Sequence, residues 1–305
     1  MRVIRTEKKV GPRVIALGTF DGVHRGHQTL IQQAAAYAAE KGVPLRVCTF
    51  DRHPLEIIHP EAAPGLLTTL PEKLHFLASM NVSETEVLSF TAAMAGQEPE
   101  AFLEALRNRM DLLAVFAGWN YTFGRMGRGN PELLQQDGKR YGYVTRILRP
   151  VRTDQGEIIS SSTIRASLAE GQLEKAEQLL GHPYALTGIV VEGKHLGRTL
   201  GFPTANVRVH VRKQLPAFGV YLCLLEDQLH VHPAMVNIGT QPTLPSGHVT
   251  VEAHILDGDP NEYGHWVRLT LLRRLRDEKR FDSAEMLKAQ LEADKQEALN
   301  LFHMA

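Results

Sequence analysis

Two histidines, His24 and His27, stand three positions apart with Gly26 between them in the stretch GTFDGVHRGHQ, residues 18–28. One helical turn separates such a pair, so both rings can face the same space. If the apolar run 13–17 is a strand and the next helix starts with the histidines, the pair lies at the carboxyl edge of a sheet, where α/β folds hold ligands. Gly26 removes a side chain where a phosphate would approach the unpaired N–H groups of the helix start, and the helix dipole favours an anion there. The arrangement suits a polyphosphate clamp. Histidines that only cap a helix would show the same spacing, and a zinc site would need a third ligand such as the Glu of HExxH, which this stretch lacks.

Three other groups of residues have chemistry to offer. In ISSSTIRASL, residues 159–168, Ser161 or Ser162 is expected to cap a helix, with Arg165 one turn in. Such a helix start can hold a triphosphate, and an Arg adds a permanent charge and forked donors; taken alone, it is also an ordinary capped helix. In LGRTLGFPTANV, residues 196–207, Thr204 and Asn206 point the same way if the segment is extended, offering hard oxygens to Mg²⁺ and phosphate. A Pro-Thr turn with a hydrogen-bonding Asn is the plainer alternative. In VTVEAHIL, residues 249–256, alternation sets Val249, Val251, Ala253 and Ile255 on one side and Thr250, Glu252 and His254 on the other. Most strand carboxylates face water, and that is the default for Glu252.

These groups need a frame. The first part of the chain alternates strands (13–17, 45–50, 112–117, 143–148) with helical patterns (26–41, 162–170, 173–180), which predicts βαβ units and a parallel sheet. After residue 181 short alternating segments (187–192, 219–225, 234–238, 248–255, 266–272) predict a small antiparallel barrel or sandwich, followed by an amphipathic helix over 283–302. A length of 305 residues favours two domains. Lys plus Arg and Asp plus Glu both number 34, so no net field attracts a polyanion, and nucleic acid is not an expected partner. Cys48 and Cys223 read as free thiols of a reducing compartment. The N-terminus has no apolar targeting core and no run approaches a membrane span, so a cytoplasmic protein without a membrane partner is expected.

HxGH near the first strand together with SSxxxR near the end of the first domain resembles the nucleotidylyltransferase superfamily related to class I aminoacyl-tRNA synthetases. The longer GTFDGVHRGHQ resembles more narrowly the adenylyltransferase module of prokaryotic flavin-cofactor synthases, and GWNYTFGRMGRG (118–129) and TFDRHP (49–54) look like its flavin-side segments, with Arg52 where the family has Pro. LGRTLGFPTANV is similar to the riboflavin kinase signature, and MVNIGTQPT (235–243), FGVY (218–221) and LRDEKRF (275–281) resemble further kinase segments. The resemblance implies a Rossmann-like nucleotidylyltransferase domain with a parallel sheet over 1–182, then a small antiparallel β-barrel kinase domain with a C-terminal helix over 183–305.

By the same resemblance the barrel phosphorylates riboflavin to FMN, and the first domain adenylylates FMN to FAD with release of pyrophosphate. ATP, riboflavin, FMN and FAD are substrates or products, Mg²⁺ is the cofactor, and the protein is a monomer or weak homo-oligomer. Catalysis falls to His24, His27 and, as the kinase general base, Glu252. ATP contacts fall to Gly18, Phe20, Gly26, Ser161, Ser162, Arg165, Gly197, Arg198, Thr204 and Asn206. Thr204 and Asn206 also hold the metal, and the flavin meets Phe50, Asp51, Pro54, Asn120, Phe123, Arg276 and Phe281. A pantetheine-phosphate or nicotinate-mononucleotide adenylyltransferase would leave the PTAN segment unexplained. A synthetase would need a KMSKS-like stretch, and a sensor with dead sites would show damaged motifs.

Overall fold

Residues 14–17 are apolar without a break because both faces of their strand are covered. The computed structural model describes residues 1–4, 9–192, 201–240, 249–256 and 264–304, the side chains of the last two apart. It divides into two units, Met1–Thr163 and Ile164–Ala305. The first begins with β1 (Arg2–Ile4) and β2 (Val10–Leu17), followed by α1 (Arg25–Lys41), β3 (Leu45–Phe50), a short α2 (Leu55–Ile58), α3 (Leu70–Ala78) and β4 (Glu84–Leu88). Then come α4 (Ala92–Ala95), α5 (Pro99–Arg109), β5 (Met110–Gly118), α6 (Pro131–Tyr141), β6 (Val144–Leu148) and α7 (Ser161–Ala169), within which the unit division falls.

The six strands form one sheet in the order β1-β4-β3-β2-β5-β6, with every neighbouring pair parallel. Side chains alternate across a strand. Val14 and Ala16 therefore join Leu30, Ile31, Ala34 and Ala38 of α1 in one core, while Ile15 and Leu17 join Phe102, Leu103 and Leu106 of α5 in the other. From β2 the chain builds outward to β3 and β4, then returns to add β5 and β6 on the opposite flank. The order reverses beside β2, and such a switch point leaves a crevice at the carboxyl edge of the strands.

The second unit holds α8 (Leu173–Leu180), β7 (Ala185–Val191), β8 (Ala205–Val209), β9 (Gly219–Glu226), β10 (Val231–Thr240), β11 (Val249–Ile255), β12 (Trp266–Asp277) and α9 (Ala284–Met304). Its strands close into an antiparallel barrel in the order β10-β11-β8-β7-β12-β9. Ala298 of α9 packs on Val220, Leu222 and Met235, which point outward from β9 and β10. The fold class is the expected one. The sequence pattern had not marked β1, β4, β8, α3, α5 or α6, and it had ended the fourth barrel segment's neighbour, β10, short at both ends.

Candidate active sites

The loop from β2 to α1 departs from ordinary backbone. Phe20 (φ 51°), Gly22 (φ 83°) and Val23 (φ 40°) all lie at positive φ. For a β-branched residue such as Val23 this conformation is strained and persists only when its surroundings hold it. The Asp21 carboxylate accepts the N–H groups of Leu67 (3.2 Å) and Thr68 (2.9 Å), and the Thr68 hydroxyl accepts the Gly22 N–H (3.0 Å). The Phe20 ring folds back over Gly18, where a Cβ would come within 2.9 Å of it. Gly18 is thus the floor for a buried ring.

His24 caps α1: its Nδ1 accepts the His27 N–H at 3.3 Å. With Nδ1 accepting, a neutral ring carries its proton on Nε2. The capping and clamp readings of the motif are therefore compatible, one on each ring nitrogen. The two imidazoles stack, with centroids 3.6 Å apart and planes at 17°, and Phe20 meets His27 edge-on at 5.3 Å. Buried Nδ1 of His27 has no hydrogen-bond partner. Burial first, then His24 and Lys73 beside it, hold His27 well below the ordinary imidazole pKa. Gly26 lies under the His24 ring, with an added Cβ only 3.1 Å from Cε1.

The second motif meets the first. Ser160, and not Ser161 or Ser162 as expected, caps α7 by accepting the Thr163 N–H (3.2 Å), because the capping hydroxyl bonds three residues ahead. That leaves Ser161 to donate its hydroxyl to the Asp21 carbonyl at 2.9 Å. Ser162 is exposed and Arg165 half-buried one turn further along α7.

Lys73 was missed. Its Nζ donates to the carbonyls of Thr19 (2.8 Å) and Phe50 (3.3 Å) and to the Thr49 hydroxyl (3.2 Å), tying the loop after β2 to the end of β3. Burial pulls its pKa down to about 8, against the opposing pull of Asp21, Asp51 and Glu56. A lysine on the stripe Leu70, Lys73, Leu77 of α3 was the available signal, since such a position is normally apolar.

On the flavin-side segments, Phe50 meets Phe90 edge-on at 5.1 Å, and Asp51 accepts the Phe90 N–H at 3.1 Å. Arg52 reaches back to Asp51, with Nε 3.5 Å from its carboxylate. Pro54 opens α2. Asn120 is exposed beyond β5. Phe123 lies in the core beneath its loop, between Phe102 and Tyr121, and a Cβ at Gly129 would collide with its ring at 2.6 Å. The large apolar groups that the loop exposes are Trp119 and Met126.

On the barrel, residues directly opposite across strands share a face. Asn206 pairs with Glu252, and Glu252 pairs with Asn237, so three polar side chains form a row across β8, β11 and β10. Ala205, Val207, Val251 and Ala253 are buried at alternate positions, so the row lies on the outer wall. Asn237 was not singled out from the sequence; only its register beside Glu252 reveals it. His254, two residues along, donates from Nδ1 to the Pro203 carbonyl (2.8 Å) and packs on Phe202 (5.3 Å), which fixes the segment leading to Thr204. Arg276 is committed to Asp294 of α9 through three hydrogen bonds of 2.7–3.0 Å, with the Phe281 ring 6.0 Å from its guanidinium. Gly197 and Arg198 lie outside the described residues.

A doubly wound sheet with an imidazole pair at its switch point has the form of a nucleotide-binding transferase module, here followed by a closed barrel with a polar row on its wall. The FAD synthetase family model matches residues 6–163 and the riboflavin kinase model residues 180–302. The chain belongs to the bifunctional riboflavin kinase/FMN adenylyltransferase family. It is 38% identical over 296 residues to the member from Escherichia coli K12, covering 95% of this chain and 92% of that one. It is 34% identical over 293 residues to the member from Bacillus subtilis 168, with the same coverage. A solved structure from Streptococcus pneumoniae, described as a macrolide-efflux protein, superposes with a TM-score of 0.83 at 33% identity, covering 97% of this chain and 96% of that one. Among the described residues, no helix is long and apolar enough to cross a membrane.

Proposed function

We infer that this chain performs two successive ATP-dependent steps: its barrel phosphorylates riboflavin to FMN, and its parallel-sheet unit adenylylates FMN to FAD with release of pyrophosphate. The observation that carries this reading is the coincidence of two family segments with two units, each with its own cluster of polar groups. We place the functional boundary near residue 182, between domains 1–182 and 183–305; the division of the two units falls earlier, between Thr163 and Ile164.

In the first domain the FMN phosphate attacks the α-phosphorus of ATP. His24, donating from Nε2, and His27 stabilise charge on the transferring and leaving phosphates. Ser161, Ser162 and Arg165 are assigned to the triphosphate, as are Gly18, Phe20 and Gly26 of the loop and helix start after β2. Phe50, Asp51, Pro54 and Asn120 are assigned to the flavin side, and Phe123 supports that loop from the core. No covalent enzyme intermediate is needed.

In the barrel Glu252 aligns the ribityl hydroxyl and receives its proton, while positioning supplies most of the rate. Gly197 and Arg198 are assigned to ATP. Thr204 and Asn206 bear hard oxygen donors of the kind Mg²⁺ takes, and the Glu252 carboxylate beside Asn206 fits such an ion. When bound, Mg²⁺ supplies neutralisation of phosphate charge. Arg276 and Phe281 border the flavin side, Arg276 by holding β12 to α9. The protein acts in the cytoplasm as a monomer or weak homo-oligomer, with neither nucleic acid nor membrane as a partner. Incubation of the pure protein with riboflavin, ATP and Mg²⁺ should yield FMN and then FAD by chromatography; a chain that makes neither product would overturn the reading.

A further inference from the structure

The turn between β9 and β10 carries a cluster that neither reaction uses. Glu226 ends β9 and Val231 begins β10, and the Asp227 N–H closes the turn on the His230 carbonyl at 3.0 Å. The Asp227 carboxylate accepts the N–H groups of Leu229 (2.6 Å) and His230 (2.7 Å), and its side chain is only 7% exposed. These bonds fix the carboxylate in place. The rings of His230, at the end of the turn, and His232, on β10, lie near each other, with centroids 5.7 Å apart. Nδ1 of His230 lies 3.9 Å from one carboxylate oxygen, and Nε2 of His232 lies 3.9 Å from the other.

We propose that Asp227, His230 and His232 form a binding site for a divalent transition-metal ion of the imidazole-preferring class, represented by Zn²⁺. One donor atom from each residue lies within 4.8 Å of the other two. A tetrahedral ion with bonds of about 2.0–2.1 Å wants its donors about 3.4 Å apart, so the set must close by roughly an ångström. The His230 side chain is 65% exposed and His232 31%, so both rings can turn toward the fixed carboxylate. Three protein donors leave a fourth position for water, at the surface. Two nitrogens and one oxygen favour Zn²⁺, Ni²⁺ or Cu²⁺ over Mg²⁺, which takes oxygen ligands. His232 precedes Asn237 by five strand residues, about 17 Å along β10, so the ion would clip the end of the hairpin away from the polar row.

The test uses the full-length protein, freed of metal with a chelator and titrated with Zn²⁺ by calorimetry in excess Mg²⁺. One equivalent should bind, and Co²⁺ should give the visible absorption of a site with nitrogen ligands. H230A/H232A should weaken that event by more than about tenfold, a loss that removal of even an outer-shell partner can cause. FMN and FAD production by the same variant should be unchanged. H24A/H27A should keep the event, which excludes the histidine pair of the first unit as its origin. On the unaltered protein, paramagnetic Co²⁺ should broaden the amide signals of residues 226–232 before others. Zn²⁺ binding that survives H230A/H232A, broadening centred elsewhere, or no binding by the wild type would each overturn the proposal.

Discussion

A neutral imidazole that meets a triphosphate must change its share of the proton. His27 is held below its ordinary pKa by burial and two neighbouring bases, and an arriving anion pushes the other way. Binding of a non-hydrolysable ATP analogue near pH 7 should therefore take up protons and weaken as pH rises. Calorimetry in two buffers of different ionisation enthalpy measures the uptake, and a His27→Gln variant with the same uptake would assign it to another group of the site. In the unliganded protein, below pH 6.5 the unfolded chain protonates this ring before the native one does, so stability is lost as pH falls. Replacing both His24 and His27 by Ala should lower conversion of FMN to FAD by at least about 10²-fold and leave FMN formation intact. Glu252→Gln should do the reverse, cutting riboflavin phosphorylation by about 10²- to 10⁴-fold while FAD still forms from supplied FMN. A variant within about threefold of wild type, far short of a general-base loss, would return Glu252 to the role of a surface carboxylate.

At the level of elements, the buried pair Arg276–Asp294 joins β12 to α9, with side chains 14% and 3% exposed. Asp294→Ala strands a guanidinium and should cost about 3 kcal/mol or more in urea unfolding, whereas Ser160→Ala at the α7 cap should cost about 1 kcal/mol. If the two variants proved equally mild, the pair would not be what holds the helix down. The apolar run of β2, the alternation of β11 and the stripe of α1 were plain in the sequence because apolar burial alone sets them. β4 was not, because its inward positions carry charge: Glu84 and Glu86 are buried against Arg46 and Arg109, at 2.7–3.4 Å. A strand buried through ion pairs reads as a polar loop. α6 hid for a related reason, burying only Leu134 and Gly138. At the site, residue types named the histidines and serines, but only strand register placed Asn237 beside Glu252, and only tertiary packing put the α7 cap on Ser160.

On the scale of the whole chain, a fragment from residue 183 to 305 should fold and phosphorylate riboflavin alone, since about 120 residues suffice for an independent core. A folded but inactive fragment would count against the kinase assignment. With 34 basic and 34 acidic residues the intact protein should show no gel shift with DNA or RNA at physiological salt, there being little counterion release to drive it. The bond from Ser161 to the Asp21 carbonyl spans 140 positions. At about 5–20 residues per second, the ribosome therefore takes roughly 7–28 s between making the histidine loop and making the serine that closes it. During that interval the nascent chain has its imidazoles but no complete nucleotide cradle, so ATP cannot help its early folding, and a product truncated before residue 161 should emerge unable to retain nucleotide.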